Sequence, residues 1–500
     1  MENRKYIIGI DQSTQGTKAL LFDGDGRLLL REDLPHRQIV SETGWVSHDP
    51  EEIYQNTLRV VKQLLGNTQE GGLKIDPSEI AGVGISNQRE TALLWNKQTG
   101  KPLADAVVWQ CSRSQGICDE IKNAGKGGLV QKKTGLKLSP YFPASKLAWL
   151  LRNVEEAQET LKSGVLGMGT IDTWLLYKLT KGAAYKTDYS NASRTQLFNI
   201  FDLKWDEELC GIFGIPGNCL PEICDSDSCF GMTDFEGLLP AEVPIHGVMG
   251  DSHAALFGQG CVQPGMIKAT YGTGSSVMMN TGAVPVCSES GVVTSLAWKL
   301  GGEVNYVLEG NINYTGAAIT WLKDEVRLID SAAETEGLSR AAIQDDSLYF
   351  IPAFTGLGAP YWNSKAKGIL CGITRTTRRE EIVRAVVESI AYQIQDIVET
   401  FVKDAGGAAK ELRVDGGPTR NAYLMQFQSD ILNTKVSVSE AEEMSGIGAA
   451  YAAGIALGVY EKQIAEKIGR RIYEAKMEEA LRDKKKSGWR EAVGVLNTKM

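Results

Sequence analysis

Histidine is scarce in this chain: there are four copies in 500 residues, and no two of them are spaced as metal ligands. The nine cysteines are scattered from Cys111 to Cys371 and form neither two close pairs nor a set with histidine. A zinc protease, a structural zinc site and histidine-based hydrolysis therefore have no support. We expect the cysteines to be reduced thiols, as in a cytoplasmic enzyme.

Long apolar runs and an excess of positive charge are also absent. No segment approaches the ~20 apolar residues of a membrane-spanning helix, and the run YIIGI near the amino terminus is shorter than the ~7–15 residues of a secretory signal core. The net charge is −9 and the isoelectric point is near 5.3, whereas nucleic acids and anionic membranes select a basic face. The sequence thus predicts a cytoplasmic protein with neither a nucleic-acid nor a membrane partner.

Two familiar phosphate-binding motifs are missing as well. GxxxxGK[ST] does not occur, and no GxGxxG opens a helix after a strand, so a P-loop ATPase and a Rossmann dehydrogenase lose their main support. Glycine, in contrast, is abundant, with 54 residues in 500 against a usual share of about 7%. So much glycine indicates tight turns and close backbone approaches, which other kinds of phosphate-binding loop also need.

Two hairpins of similar design are present. The first, from Lys5 to Asp23, runs KYIIGI, DQSTQGTK, ALLFD; the second joins Met266–Ala269 to Val277–Met279 through TYGTGSS. Helix and strand patterns alternate after the first hairpin, which is typical of an α/β fold. We interpret the repetition as an internal duplication that gives two similar α/β domains, 1–255 and 256–500, with a cleft between them. The alternative is that two short hairpins look alike by chance.

Other segments have simpler patterns. Helical periodicity covers Glu51–Leu65, and an apolar run predicts a buried strand at Ile80–Ser86. The glycine- and alanine-rich stretch Ile447–Val459 is too short to span a membrane and predicts a tightly packed internal helix. From Lys467 onward we expect a charged amphipathic tail, with the basic run Lys484–Lys486 on its solvated face.

The turn of the first hairpin carries residues that suit phosphate chemistry. Asp11 ends the strand, and Ser13, Thr14, Gly16 and Lys18 follow it. Successive amides and hydroxyls in such a turn can surround phosphate oxygens, and an adjacent aspartate can hold Mg²⁺ through water. The alternative is that aspartate and serine are here only because they favour turns.

Five further residues are candidates for substrate chemistry. Asp251 lies between the strand VPIHGVMG and a helix, among small residues that leave room for a ligand, although it could be a plain helix N-cap. Arg89 and Glu90 follow a buried strand and offer donors and acceptors to the hydroxyls of a polyol; a surface ion pair is the alternative. Trp109 and Tyr141 could form flat walls for a carbohydrate-like ligand or simply belong to the core.

Several long motifs occur in order along the chain, among them GWVSHDPEEI, SNQRETALLW, VVWQCSRS, DYSNASRTQLFNI, FTGLGAPYW and ESIAYQIQDI. With these motifs the chain resembles the FGGY carbohydrate kinases, over about residues 5 to 460. The resemblance implies two similar domains of the sugar-kinase and actin-like ATPase fold, with ribonuclease H-like cores and an interdomain cleft. It also implies ATP- and Mg²⁺-dependent phosphorylation of a terminal hydroxyl of a small polyol. Within the family, the chain looks most similar to the members that convert glycerol to glycerol 3-phosphate.

The resemblance assigns roles to individual residues, with Asp251 as the general base. The implied substrate contacts are Arg89, Glu90, Trp109, Tyr141, Asp251, Ser252 and Ser276. The implied nucleotide contacts are Ser13, Thr14, Gln15, Lys18, Gly272, Thr273, Gly316, Thr320, Gly417 and Asn421. Asp11 and Asp251 are the implied magnesium ligands. A homodimer or larger homo-oligomer is compatible with the resemblance.

Three positions depart from the pattern of the family's glycerol-specific members. Ser252 stands where glutamine is usual, and Ser276 where an aromatic residue usually closes over the substrate carbons. Both changes predict a larger and more polar pocket, so a larger polyol or a ketose, of the erythritol, xylulose or ribulose type, is the alternative acceptor. Glu242 stands where an arginine takes part in inhibition by fructose bisphosphate in some members, and we expect no such control. An actin-like nucleotide switch is disfavoured because Arg89, Glu90 and Asp251 are all present together with Trp109. A regulatory binder without catalysis is disfavoured because Asp11 and Asp251 are both intact.

Overall fold

The structure is a computed structural model that describes residues 5–69, 73–343 and 347–497. The strands are β1 (Tyr6–Gln12), β2 (Gly16–Phe22), β3 (Leu28–Pro35), β4 (Ile39–Val40), β5 (Val46–His48), β6 (Ile80–Asn87), β7 (Ala92–Asn96), β8 (Lys101–Pro102), β9 (Ala106–Val107), β10 (Leu166–Thr170), β11 (Lys186–Asp188), β12 (Phe198–Asn199), β13 (Lys204–Trp205), β14 (Glu222–Cys224), β15 (Gly231–Thr233), β16 (Val243–Gly250), β17 (Met266–Tyr271), β18 (Ser275–Gly282), β19 (Val293–Leu300), β20 (Glu303–Ile312), β21 (Tyr349–Ile351), β22 (Ile369–Cys371), β23 (Glu411–Asp415), β24 (Val436–Ser439) and β25 (Arg470–Tyr473). The α-helices are α1 (Pro50–Gln69), α2 (Gln115–Asn123), α3 (Gly127–Thr134), α4 (Pro143–Asn153), α5 (Glu155–Lys162), α6 (Ile171–Leu179), α7 (Tyr189–Ala192), α8 (Glu207–Phe213), α9 (Asp251–Gly258), α10 (Gly316–Asp324), α11 (Glu334–Ala341), α12 (Arg379–Ala405), α13 (Ala422–Leu432), α14 (Met444–Ala456) and α15 (Glu479–Asn497).

The first large sheet has the strand order β15-β16-β6-β1-β2-β3. Strands β1, β2 and β3 pair antiparallel, while β1, β6 and β16 pair parallel. Every residue of β6 is buried, as expected for a central parallel strand that is covered on both faces. Helices α1 and α6 cover one face, where Ile8, Ile53, Val83 and Trp174 belong to one apolar core.

The second large sheet repeats this plan with the order β19-β20-β18-β17-β23-β24-β25. Its β17, β18 and β20 pair antiparallel, and its β17, β23 and β24 pair parallel. The core β20-β18-β17-β23-β24 therefore matches β3-β2-β1-β6-β16 in order and direction. The predicted fold class of two similar α/β halves is confirmed, and both predicted hairpins are present as β1–β2 and β17–β18. The division at residues 255 and 256 stays a prediction.

Helix α14 joins the last part of the chain to the first sheet, packing against β6, β16 and α9. Its contacts are backbone to backbone: a Cβ on Gly84 would lie 2.2 Å from the Ala449 carbonyl oxygen, and one on Gly448 would lie 1.8 Å from that of Ala254. This close approach explains the small residues of the stretch, which is the internal helix that the sequence predicts. Within the described ranges, no helix combines the length and the apolarity that a membrane span requires.

The end of the chain differs from the predicted solvated tail. Strand β25 extends the second sheet, and α15 places Trp489 in the core, where its ring stacks on Tyr392 with a centroid separation of 4.9 Å. Lys485 lies one turn before Trp489 on the same helix face and is only 7% exposed, with its Nζ 3.6 Å from Glu388. The prediction that Lys484–Lys486 is a solvated run is therefore wrong for Lys485, because the buried tryptophan turns that helix face inward.

Candidate active site

Asp11 is the penultimate residue of β1 in the first sheet, at the edge where ligands of open parallel sheets commonly bind. Its carboxylate is buried, accepts a 3.0 Å hydrogen bond from the Ser86 hydroxyl and lies 3.8 Å from Lys18 Nζ. Burial raises the pKa of Asp11 to about 6, with the charges of Glu443 and Asp251 acting in the same direction and Lys18 and Ser86 opposing them. The carboxylate thus carries a charge that its protein surroundings only partly compensate.

Asp251 follows β16 directly and begins α9, as the sequence predicts. Its side chain is 33% exposed, and its Oδ1 accepts a 2.6 Å hydrogen bond from the Ser252 amide. Arg89 Nε lies 3.1 Å from the same oxygen. A helix N-terminus and a guanidinium therefore place positive charge beside a carboxylate that remains partly exposed.

Arg89 and Glu90 belong to a buried charge network that the sequence analysis missed in part. Arg89 Nη1 and Nη2 donate to the two carboxylate oxygens of Glu309 at 3.0 and 2.8 Å. Arg194 Nη1 lies 2.7 Å from Glu309, and Arg194 Nε donates to Glu90 at 2.6 Å. Burial raises the pKa of Glu309, but the guanidiniums of Arg194 and Arg89 outweigh it and hold that pKa well below its usual range.

Glu90 has a left-handed backbone, with φ at 60°, which turns the chain sharply after β6.

Beside Glu90 lies Lys146, a second buried titratable residue that the sequence analysis missed. Lys146 on α4 is fully buried and donates a hydrogen bond to the carbonyl of Tyr141. Burial lowers the pKa of Lys146 to about 7, and the charge of Glu90 opposes this shift. Lys146 thus lies between the backbone of Tyr141 and the side chain of Glu90, two predicted substrate residues.

The predicted aromatic wall is assembled beside the first turn. The rings of Trp109 and Tyr141 are 5.5 Å apart at their centroids and inclined by 58°. Trp109 Nε1 donates a 2.9 Å hydrogen bond to the hydroxyl of Thr14. This bond links the wall to the turn that the sequence predicts for phosphate binding. Burial raises the pKa of the Tyr141 hydroxyl, with the charge of Glu90 acting in the same direction and that of Arg89 opposing it.

The other members of the first turn are placed differently. The amide and hydroxyl of Ser13 both donate to the Gly16 carbonyl, at 2.8 and 3.0 Å, so they close the turn on itself. Gln15 is exposed. Lys18 Nζ donates to Glu443 at 2.6 Å, at the start of α14. The serine therefore closes the turn, the Thr14 hydroxyl accepts the Trp109 bond, and the Lys18 ammonium group lies between Glu443 and Asp11.

The second turn and a nearby cavity bring together the predicted nucleotide residues of the second half. Gly272 and Thr273 accept backbone hydrogen bonds from Gly316 and Thr315 at 2.9 and 3.0 Å, so this turn lies against the start of α10. A cavity of about 550 Å³ adjoins it. Its lining includes the predicted residues Gly316, Thr320, Gly417 and Asn421, together with Thr335 and Glu336.

Asp415, at the end of β23, is paired with a hydroxyl residue in the second sheet, as Asp11 is in the first. In the first sheet Asp11 pairs in register with Ser86, and in the second Thr270 pairs in register with Asp415. Both pairs combine a carboxylate with a hydroxyl on neighbouring parallel strands, but the two members have exchanged strands. Burial raises the pKa of Asp415, and Lys268 opposes this. The sequence indicates the strand and the glycine turn that follows it, but not the pairing of Asp415 with Thr270.

Ser252 and Ser276, the two departures from the family pattern, face each other. The Ser276 hydroxyl on β18 donates to that of Ser252 on α9 over 3.4 Å. Both residues are partly exposed.

The residues that could hold a magnesium ion are few. No group of three or more His, Cys, Asp or Glu side chains within the described ranges could hold a metal by itself. Mg²⁺ usually takes only one or two carboxylates, with phosphates and waters completing its octahedron. Asp11 and Asp251 suit that mode, because burial and the neighbouring carboxylate both raise the pKa of Asp11 and a cation would offset both effects.

Family profiles cover most of the chain. The N-terminal domain of the FGGY family of carbohydrate kinases matches residues 6–258, and the C-terminal domain of that family matches residues 267–457. Among curated relatives, glycerol kinase 1 of Thermotoga maritima is 48% identical, covering 99% of this chain and 100% of the relative. The glycerol kinase of Caldanaerobacter subterraneus subsp. tengcongensis is 46% identical, covering 98% of each.

Solved structures are similar over the same length. A crystal structure of Plasmodium falciparum glycerol kinase with ADP superposes with a TM-score of 0.93 at 36% identity, covering 99% of both chains. Gluconate kinase from Lactobacillus acidophilus superposes with a TM-score of 0.87, covering 99% of this chain and 98% of that chain; at 22% identity it supports the fold alone.

Proposed function

The chain belongs to the FGGY family of carbohydrate kinases, and we propose that it transfers the terminal phosphoryl group of ATP to a terminal hydroxyl of a small polyol, with glycerol as the first candidate acceptor. The enzyme class is a phosphotransferase with an alcohol group as acceptor. One observation carries the proposal: Asp251 lies accessible beside Arg89, 3.1 Å from its Nε. The near-full-length glycerol kinase relatives support glycerol, and the relative solved with ADP supports ATP.

The acceptor would be held by the buried charges and the aromatic wall. Arg89 and Glu90 offer a donor and an acceptor to neighbouring hydroxyls, and Trp109 and Tyr141 pack against the carbons. Phosphoryl transfer proceeds through a loose transition state, so positioning supplies much of the rate. The Glu309 and Arg194 contacts restrict how the two charged side chains can move, which favours one hydroxyl in line with the phosphorus.

Asp251 would accept the proton of the attacking hydroxyl. An aspartate is too weak a base to deprotonate a free alcohol, but it can take the proton late, once the P–O bond is forming. Its helix N-terminus and Arg89 keep the carboxylate oriented.

The phosphates would lie between the two glycine-rich turns. Thr14 and Lys18 from the first turn, with Thr273 from the second, offer hydroxyls and an ammonium group to phosphate oxygens, and Gly272, whose amide donates to the Gly274 carbonyl, shapes the second turn. The adenine base of the nucleotide would occupy the cavity lined by Gly316, because this cavity lies next to the second turn. Mg²⁺, when bound, neutralises charge on the phosphates, and Asp11 and Asp251 would hold it.

A larger polyol or a ketose is the second candidate acceptor. The observation that favours it is the contact between Ser252 and Ser276, because two small hydroxyl side chains leave space and hydrogen-bonding groups for additional hydroxyls. The cytoplasmic location, the homo-oligomeric state and the absence of control by fructose bisphosphate stay predictions.

An acceptor screen tests the proposed function. The purified protein is supplied with ATP and Mg²⁺, and ADP release is followed with glycerol, erythritol, xylulose, ribulose or gluconate. Mass spectrometry of the product then identifies a phosphate monoester. We expect acceptor-dependent turnover with glycerol or one larger polyol and a singly phosphorylated product. ADP release that is indifferent to every acceptor would contradict the proposal and favour a nucleotide switch.

A further inference from the structure

Glu309 connects the two halves of the molecule at the acceptor site. It lies on β20 of the second sheet and has no exposed side-chain surface. Both of its partners, Arg89 and Arg194, come from the first half of the chain. A single carboxylate in an otherwise apolar stretch of buried strand is costly unless it is paired, and here it has two guanidinium partners.

The contacts of Glu309 determine the orientation of the Arg89 guanidinium. The two-point bond to Glu309 uses one N–H of each terminal nitrogen and fixes the plane of the group. In that plane Arg89 Nε lies 3.1 Å from Asp251 Oδ1, yet Nε has no hydrogen-bond partner of suitable geometry among the residues that the structure describes. A buried N–H donor thus lies beside the accessible Asp251, where a hydroxyl of the acceptor could accept its hydrogen bond.

The same carboxylate also acts on Glu90, through Arg194. Arg194 places Nη1 2.7 Å from Glu309 and donates from Nε to Glu90 at 2.6 Å. Arg194 is itself buried, so its guanidinium cannot turn to solvent without leaving both carboxylates uncompensated. Glu309 therefore determines the positions of both charged residues that we assign to the acceptor, one directly and the other through a single intermediate.

We propose that Glu309 is a positioning residue for the acceptor, which it orients from the second half of the molecule through Arg89 and Arg194. The inference rests on the proposed function, because it assumes that Arg89 and Glu90 hold the acceptor hydroxyls. If the inference holds, the acceptor site depends on strand β20 being in place. The charged residues assigned to contact the acceptor, Arg89 and Glu90, nevertheless both belong to the first half. The described members of this network are Arg89, Glu90, Arg194, Asp251 and Glu309, and none of them belongs to either glycine-rich turn.

The variant Glu309→Gln tests this inference, with Glu411→Gln as the matched control. Glu411 is also a buried strand carboxylate paired with arginine, at 3.3 Å from Arg413, but it lies outside the cleft network. We expect Glu309→Gln to raise the KM for the acceptor at least tenfold, with the KM for ATP changed by less than about threefold. Glu411→Gln should leave both constants near those of the parent enzyme, even where it lowers the melting temperature.

A double-variant cycle with Arg89→Lys shows whether Glu309 acts through Arg89. In the Arg89→Lys background, Glu309→Gln should change the acceptor KM by much less than in the parent. If Glu309→Gln does not fold, Glu309→Asp keeps the charge but shortens the reach, and a smaller rise in acceptor KM is expected. Equal effects in both backgrounds, or an acceptor KM within twofold of the parent, would overturn the inference. A parent enzyme that binds and phosphorylates no polyol would instead contradict the proposed function, so the two failures are distinguishable.

Discussion

The hydroxyl of Ser276 donates to that of Ser252 over 3.4 Å. The contact joins β18 of the second half to the first turn of α9, immediately after Asp251. The two serines therefore lie next to Asp251, the proposed general base. Their small size leaves volume, and their hydroxyls leave hydrogen-bonding capacity, so the acceptor preference of the enzyme should depend on this contact.

Enlarging Ser276 should narrow the acceptor range. Ser276→Phe fills the space beside Ser252 and removes one hydroxyl, so we expect kcat/KM for glycerol relative to erythritol to rise at least tenfold, which corresponds to about 1.4 kcal/mol. Ser276→Ala is the control, because it removes the hydroxyl and keeps the space. The ratio of kcat/KM values is measured with both acceptors in the same coupled assay. An unchanged ratio in Ser276→Phe would show that the acceptor does not reach this position.

The hydrogen bond from Trp109 to Thr14 should couple the acceptor wall to the nucleotide. Trp109→Phe keeps an aromatic wall but loses a bond that holds the first turn, and one such bond contributes about 1 kcal/mol. We therefore expect the KM for ATP to rise about fivefold, and much less in a Thr14→Val background. Trp205→Phe, which loses a similar bond to the Pro221 carbonyl, is the control. If Trp109→Phe raised the KM for ATP by the same factor in the parent and in the Thr14→Val background, the hydrogen bond between Trp109 and Thr14 would not affect nucleotide binding.

Asp396 should make stability depend on pH. Burial raises the pKa of Asp396 to about 7, with hydrogen bonds from Trp489 and Tyr361 opposing it, Glu399 raising it and Arg490 lowering it. Because the folded-state pKa lies above the unfolded value near 3.8, the folded protein binds this proton more tightly, and stability falls as pH rises from about 4 to about 7. Above that range the effect is constant.

Replacing this aspartate with asparagine tests the effect. Asp396→Asn keeps an oxygen acceptor for Trp489 and Tyr361 without the charge. The difference of about 3 pKa units corresponds to about 4 kcal/mol, so the variant should be more stable than the parent at pH 8, with a smaller advantage at pH 5. Urea unfolding of both proteins at the two pH values measures this. An advantage that does not change between pH 5 and pH 8 would contradict the assigned pKa.

Local patterns were sufficient to predict the elements that carry the site. The hairpins were recognisable because short apolar strands flank turns rich in glycine and hydroxyl groups, and Asp251 because an apolar strand runs directly into a helix of small residues. These features depend on neighbours in the sequence. The predicted aromatic wall joins two residues of the first half that are not neighbours in the sequence, Trp109 and Tyr141, and their rings are in contact.

Pairings between distant segments could not be predicted in this way. Glu309 lies in the stretch NYVLEGNI, where a lone carboxylate was the only local signal, and its partner Arg194 is 115 residues away (309 − 194). Lys485 was expected in solvent because nothing local showed that Trp489 would dock on Tyr392. Asp11 pairs with Ser86 in the first sheet and Asp415 pairs with Thr270 in the second, and these pairings likewise become visible only in the register of the two sheets.

The turnover number of Asp251→Asn tests the central claim most directly. Asparagine keeps an acceptor for the Ser252 amide but cannot take a proton at neutral pH, so the site should remain assembled. With the preferred polyol and ATP both saturating, we expect kcat to fall by about 10³-fold or more, while nucleotide affinity measured by calorimetry stays within about twofold to threefold of the parent. A kcat within about tenfold of the parent would show that Asp251 is not the base.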